Sequence, residues 1–389
     1  MVVVCGGGVV GLTIARELAL EGADVMVIEK EEDFGLHASG RNSGVLHAGI
    51  YYTPDSLKAK FAIEGNRLLR KFVKERGIPI NESGKVIVAR DEEDHERLLN
   101  LYERAKRNGA KVHLIDEREL AEIEPNARTY REAIYSPNTA VVNPKDVMEA
   151  LAADVMDTGR VRALLGVRCI RRAGPRKILT SAGTYEYDVL INAAGAHAEK
   201  LAHTYGVGLR YRLIPFKGTY RKLKRGELVR GNIYPVPHPK SPFLGVHFTR
   251  DPYGNVFVGP TAIPALGREN YGLLEGIDLE APVILYRDAV MFLRNPLFRY
   301  VALREPRKYF KPYFYRSSRW MLRNLEYGDI VPSSKVGIRA QLVDWESKEL
   351  VMDFVIEREE DSIHILNAVS PAFTASFPFA RYVVDEFLR

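Results

Sequence analysis

Four apolar residues, Val2-Val3-Val4-Cys5, precede Gly6-Gly7-Gly8-Val9-Val10-Gly11 and an apolar-periodic run to Leu20, a pattern that predicts strand, glycine turn and helix. Val25-Met26-Val27-Ile28-Glu29 adds a second strand and completes a βαβ unit. After a loop rich in Gly, Ser, His and Asn over 35–49, Leu57, Phe61, Leu68, Leu69 and Phe72 share one face of a helix predicted over 56–76. A strand over 85–89 and a helix over 91–108 follow, and Val142-Asn143-Pro144-Lys145 opens another helix. The segment 187–192 reads as a strand ending in Ala193-Ala194-Gly195. From 213 to 259, strand-like stretches punctuated by Pro and Gly suit an antiparallel sheet. The chain closes with a strand over 363–367, the turn Ser370-Pro371-Ala372 and an apolar helix over 373–388.

This order predicts an α/β protein: a Rossmann-type dinucleotide-binding domain built from several chain segments, with an inserted, mostly antiparallel α+β substrate domain. Segments 1–80, 141–210 and 334–389 are assigned to the first domain, and 81–140 and 211–333 to the second. At 389 residues and 46% hydrophobic composition the chain can bury a core for both. No apolar run approaches the roughly 18 residues of a spanning helix, so a cytoplasmic protein is expected. Cys5 and Cys169 lie in apolar patterns without metal-ligand spacing and are expected to be buried free thiols; no metal site is expected. A single glutamine, Gln341, among abundant Arg, Lys and Glu hints at a thermophilic source.

The net charge of +6 is unevenly spread, because 287–323 holds ten Lys or Arg against two acids. Phe310, Tyr313, Phe314, Tyr315 and Trp320 are interleaved with them. A solvated face is the plain reading, peripheral contact with the inner face of a membrane or with a partner is the alternative, and nucleic acid is not expected.

Gly6, Gly8 and Gly11 form a G-x-G-x-x-G turn between strand and helix, and Glu29 follows Gly8 by 21 residues at the end of the second strand. The first glycine permits the tight turn, the second lets backbone approach a pyrophosphate, and the third allows close helix packing. Glu29 can bond a ribose 2′-hydroxyl and argues against NADP. Val10 and Lys30 are placed beside these contacts. The fingerprint alone does not separate FAD from NAD. The carboxyl-terminal turn and helix, with Pro371, Ala372, Phe373 and Thr374, offer a second helix N-terminus for the pyrimidine end of a flavin, and Ala194 and Gly195 are further cofactor contacts.

The loop Ser39-Gly40-Arg41-Asn42-Ser43-Gly44-Val45-Leu46-His47-Ala48-Gly49-Ile50-Tyr51-Tyr52 resembles the L-2-hydroxyglutarate dehydrogenase and oxidase family, within the D-amino-acid-oxidase-like flavoproteins. The likeness continues in Pro215-Phe216-Lys217-Gly218-Thr219-Tyr220, Tyr234-Pro235-Val236-Pro237, Pro242 to Arg250, Gly337-Ile338-Arg339-Ala340-Gln341 and Ser370-Pro371-Ala372, and is weakest over 277–333. Lys217 stands where the family is expected to carry Arg. The resemblance implies a noncovalent FAD, with Ser39, Arg41, Asn42, Ser43 and Gly44 as flavin-loop contacts, and oxidation of L-2-hydroxyglutarate to 2-oxoglutarate.

Oxidising a 2-hydroxy acid by hydride transfer requires a base for the hydroxyl proton and cations for carboxylate. His47 and His247 are the candidate bases, and the sequence does not decide between them. Arg339 is the expected carboxylate clamp, because guanidinium pairs with two oxygens in fixed geometry. Lys217, Tyr220 and Tyr52 are expected substrate contacts, while His197 is expected to be structural. The electron acceptor, whether quinone, oxygen or a carrier protein, is left open. Glycerol-3-phosphate dehydrogenase or a glycine- or sarcosine-type amine oxidase on the same fold is the competing enzymatic reading, and a non-catalytic FAD-binding module is the third.

Overall fold

The computed structural model describes residues 1–388. Strand Val2–Cys5 lies between Val25–Ile28 and Val189–Asn192 in parallel register, with Val161–Leu164 and Ser362–Asn367 parallel beyond them. Val355–Glu359 closes one edge antiparallel, so this sheet has six strands among the described residues. Val3, Val4 and Cys5 are fully buried, as continuous apolar strands must be when both faces of a parallel sheet are covered. Helices Val9–Leu20, Pro144–Met156 and Ala372–Phe387 pack together on it, and Leu57–Glu75 packs against the last of these.

Two of these helices begin at a side-chain cap. Ser56 accepts from the Ala59 amide at the start of Leu57–Glu75, and Asn143 caps Pro144–Met156 with proline in the first turn. Along Leu57–Glu75, Phe61, Leu69, Phe72 and Val73 are buried. Gly65 lets that helix touch the carboxyl-terminal one, since a Cβ there would lie 2.2 Å from the Thr374 carbonyl oxygen.

The second sheet holds ten strands among the described residues. In spatial order it runs Glu349–Leu350, Ile330–Asp344, Tyr211–Leu223, Val256–Gly259, His247–Arg250, Asn232–Pro235, Lys85–Val88, Glu132–Ser136 and His113–Asp116, with Ile263–Pro264 on the side of Tyr211–Leu223. All neighbours are antiparallel except Asn232–Pro235 and Lys85–Val88. Strand Ile330–Asp344 belongs wholly to this sheet, so the third cofactor-domain segment starts after Glu349–Leu350 rather than at 334. Its long pairing with Tyr211–Leu223 is the reason. Helices Ala281–Arg294, Pro296–Arg304 and Lys311–Ser318 follow Ile263–Pro264 in the chain.

Cys5 and Cys169 are not free thiols. They form a disulfide with Cα atoms 6.3 Å apart, because the end of the first strand and the start of the Cys169–Gly174 hairpin strand share one apolar cluster. None of the described helices is long and apolar enough to cross a membrane.

Candidate active site

Gly6 sits at φ +115°, and a Cβ there would come within 2.4 Å of the Ala193 carbonyl oxygen. Only glycine therefore lets the first strand turn beside Ala193-Ala194-Gly195. Gly8 precedes helix Val9–Leu20 and has no side chain to cap it, so the first-turn amides at Val10 and Gly11 and the positive end of the helix dipole suit a pyrophosphate. Ser39 Oγ accepts from the Val9 amide at 2.9 Å, which fixes the flavin loop to this turn. Glu29 is buried at the end of its strand, accepting from Gly7 N at 2.7 Å and Glu31 N at 3.0 Å. Lone pairs remain on its carboxylate for ribose hydroxyls.

The rest of the loop is self-supporting. Asn42 donates to Ser39 O and accepts from the Gly44 amide, the Ser43 hydroxyl faces the Val45 amide, and Arg41 donates to Leu36 O while lying 4.2 Å from the Tyr271 ring. Lys30 is committed to Glu31 and, at 2.8 Å, to Glu269, which also lies 2.7 Å from His197 Nε2. The hydrogen bond from His197 is the chief cause holding the Glu269 carboxyl well below the usual range. At the other end, Pro371 precedes helix Ala372–Phe387, whose first turn, including Ala372 and Phe373, has no side-chain cap. Thr374 Oγ1 donates to Val45 O and accepts from the His47 amide, so this helix start holds the histidine-bearing loop.

His247, Tyr220 and Arg339, three of the residues expected to meet substrate, come from one face of the ten-stranded sheet. Residues in register point to the same side, and alternate residues point to opposite sides. Lys85 is paired with Asn232, Asn232 with Thr249, and His247 with Gly259, so Lys85, Tyr234 and His247 share a face. Val258 pairs with Arg221, which puts Tyr220 on that face, and Phe216, four residues before Tyr220, pairs with Arg339. Lys217 pairs with Ile338 and points the other way. It is not brought to the site: its amine donates to the Gly272 carbonyl at 2.6 Å, and the alternation of the strand is the physical reason.

His47 and His247 meet over this face. Burial pushes both imidazoles down to about 3, helped in each case by the fields of Lys85 and Arg339, and His47 also feels His247. His247 Nδ1 lies 2.8 Å from the Gly245 carbonyl oxygen, which can only accept. That nitrogen therefore carries the proton, leaving Nε2 as a free base. The Tyr234 ring stacks on the imidazole. Asn66 donates to the Leu46 and His47 carbonyls, so the His47 backbone is pinned from a second side, while its Nδ1 is buried without a partner.

Arg339 lies 4.7 Å from the Phe243 ring centroid, and among the described residues no carboxylate pairs with it. Tyr52 and Tyr220 feel its field; burial raises both phenols above their ordinary value and keeps them protonated. Two buried lysines were missed by sequence reasoning. Lys58 is lowered to about 8 by burial and by Arg339, and Lys85 to about 7 by burial alone. Lys58 sits one residue past the start of a helix and Lys85 at the start of a strand, places where lysine ordinarily reads as solvated. The one signal for Lys85 was that it opens the otherwise apolar Val86-Ile87-Val88.

This arrangement joins a glycine-rich dinucleotide cradle to a buried cluster of cationic and imidazole groups, and the two helix starts suit FAD. The FAD dependent oxidoreductase family model matches residues 1–386. Among curated relatives, the L-2-hydroxyglutarate dehydrogenase of Nematostella vectensis, named as mitochondrial, is 37% identical, covering 99% of this chain and 90% of its own. That of Indibacter alkaliphilus is 35% identical over 100% and 98%. Among solved structures, the FAD-bound L-alpha-glycerophosphate oxidase of Mycoplasma pneumoniae superposes with a TM-score of 0.76 at 23% identity, covering 100% of this chain and 94% of that one, a likeness of fold. The protein is thus an FAD-dependent oxidoreductase and belongs, with the L-2-hydroxyglutarate dehydrogenases, to that family.

Proposed function

We propose that the protein oxidises L-2-hydroxyglutarate to 2-oxoglutarate. The observation that carries this reading is the buried, unpaired guanidinium of Arg339 beside two neutral imidazoles. A buried cation without a counter-ion is costly, and a carboxylate ligand relieves the cost. Arg339 holds the carboxylate next to the carbinol through paired N–H···O bonds. Nε2 of His247 takes the hydroxyl proton as the carbinol carbon becomes a carbonyl. The Tyr234 ring and the Gly245 carbonyl keep that imidazole from turning. Bound FAD supplies the acceptor for the α-hydrogen and its electron pair. The relatives' shared name favours L-2-hydroxyglutarate over a phosphorylated alcohol or an amine. Anaerobic titration of the purified holoenzyme tests it: L-2-hydroxyglutarate bleaches the flavin, and the D-enantiomer, L-malate and glycerol-3-phosphate do not. Bleaching by glycerol-3-phosphate alone overturns the reading.

We also propose that the helical region after Ile263–Pro264 rests on an anionic membrane surface, where a quinone is the reachable electron acceptor. Leu279, Leu293 and Phe310 are exposed, at 99%, 73% and 67%, among exposed Arg294, Arg299, Arg304 and Arg307. Exposed apolar side chains interleaved with arginine combine the two attractions an anionic lipid surface offers. Arg287 is excluded from this face, being turned toward Glu199. Salt-sensitive cosedimentation with anionic but not neutral liposomes supports the proposal, and indifference to lipid ends it.

A further inference from the structure

Lys85 is buried to 1% exposure, and its ammonium has no hydrogen-bond partner among the described residues. The Tyr51 and Tyr234 rings lie 4.5 and 4.8 Å from Nζ. Cation–π contact offsets part of the cost of burial, but it does not replace an anion. The Tyr51 hydroxyl is also buried without a partner. Two orphaned donors, an ammonium and a phenol, therefore belong to side chains in contact, the ammonium lying over the phenol's ring, and each can serve an oxygen of a carboxylate.

The sheet places this pair at the far end of the site from Arg339. The strand carrying Arg339 and the strand carrying Lys85 are separated by four others, and the strand of His247 is among the four. All three side chains project from the same face. Each imidazole feels both cations. An acid held by Arg339 with its carbinol at the imidazoles thus extends its remaining carbons toward Lys85. A monocarboxylate leaves that ammonium unpaired; a second carboxylate neutralises it.

We propose that Lys85, with the Tyr51 hydroxyl, binds the distal carboxylate of the substrate and so restricts the enzyme to 2-hydroxy dicarboxylic acids. The assignment rests on the hydroxy-acid reading above and names the second contact that reading lacks.

The test uses the oxidised holoenzyme and two unreactive probes, glutarate and pentanoate, with binding followed by perturbation of the flavin spectrum. Lys85→Met weakens glutarate binding on the order of 100-fold, the loss of a charge-assisted bond, and leaves pentanoate within about twofold. Lys85→Arg, which keeps the charge, retains a preference for glutarate. Should the methionine variant fail to retain flavin, Lys85→Gln is judged by the same glutarate-to-pentanoate ratio. Unchanged glutarate binding, or equal losses for both probes, overturns the assignment. Anaerobic reduction of the wild type separates the two levels: no bleaching by any hydroxy acid removes the hydroxy-acid reading and this inference with it, while bleaching by L-2-hydroxyglutarate with an unaltered ratio in the variants removes this inference alone.

Discussion

Tyr234 and His247 stack with ring centroids 3.7 Å apart and planes inclined by 21°. Lys85 contacts the same tyrosine ring, so one aromatic side chain supports both the imidazole we assign as base and the ammonium we assign to the distal carboxylate. No acidic side chain takes part in this stack among the described residues, and burial keeps the imidazole neutral. Its lone pair is aimed by the Gly245 carbonyl, which holds the proton on Nδ1 and leaves Nε2 to accept one, rather than by a carboxylate partner.

Exchange of His247 for asparagine slows anaerobic flavin reduction by roughly 10²–10⁴-fold, the range for loss of a general base, and leaves flavin content unchanged. His47→Asn affects binding more than the rate. Stopped-flow traces at saturating substrate separate the two, and equal rate losses in both variants contradict the assignment of His247.

Arg339→Ala retains FAD yet is not reduced by L-2-hydroxyglutarate at concentrations that bleach the wild type. Arg339→Lys recovers only part of the activity, because an ammonium cannot reproduce the paired fork of a guanidinium. Normal reduction of the alanine variant removes Arg339 from the site.

The acid limb of kcat/KM is expected to lack a histidine step near pH 6.5, since both imidazoles are already neutral far below it, at about 3. The alkaline side carries the change. Lys85, facing Tyr51, Tyr234 and the two imidazoles, loses its proton as pH rises through about 7, and KM for the dicarboxylate climbs while kcat holds. The same group affects stability. Between about 7 and its unfolded value near 10.4 the unfolded chain binds more protons than the folded one, so unfolding free energy rises with pH across that window. Urea melts of ligand-free wild type and Lys85→Met across pH 6–10 check this, the variant showing the smaller rise.

The Arg268 side chain is 1% exposed and bonds Glu199 at 2.7 Å and Glu280 through two contacts at 2.8 Å. Arg268→Ala leaves Glu199 buried without this partner and is expected to cost about 3–5 kcal/mol of unfolding free energy. Chemical denaturation measures it; a loss under about 1 kcal/mol disproves the structural role.

The cofactor half of the site was legible because its signals are local. Gly6, Gly8, Gly11 and Glu29 sit within one βαβ unit, and their spacing alone places them. The substrate half depends on pairings between distant strands. Lys85 becomes a pocket residue only when Lys85–Val88 pairs with Asn232–Pro235, and Lys217 leaves the pocket only through its register with Ile338. Nothing in the sequence near Cys5 announces a partner 164 residues away.

The nucleotide-binding sheet takes Val2–Cys5 from one end of the chain and Ser362–Asn367 from the other, with Val189–Asn192 between them. The glycine turn is synthesised long before helix Ala372–Phe387, which packs against Val9–Leu20 and supplies the other wall of the cradle. A nascent chain therefore cannot close its flavin cradle until that helix has left the ribosome. Cofactor capture is in this way tied to the folding of Ala372–Phe387, and a variant lacking that helix is expected to keep the glycine fingerprint but lose the flavin.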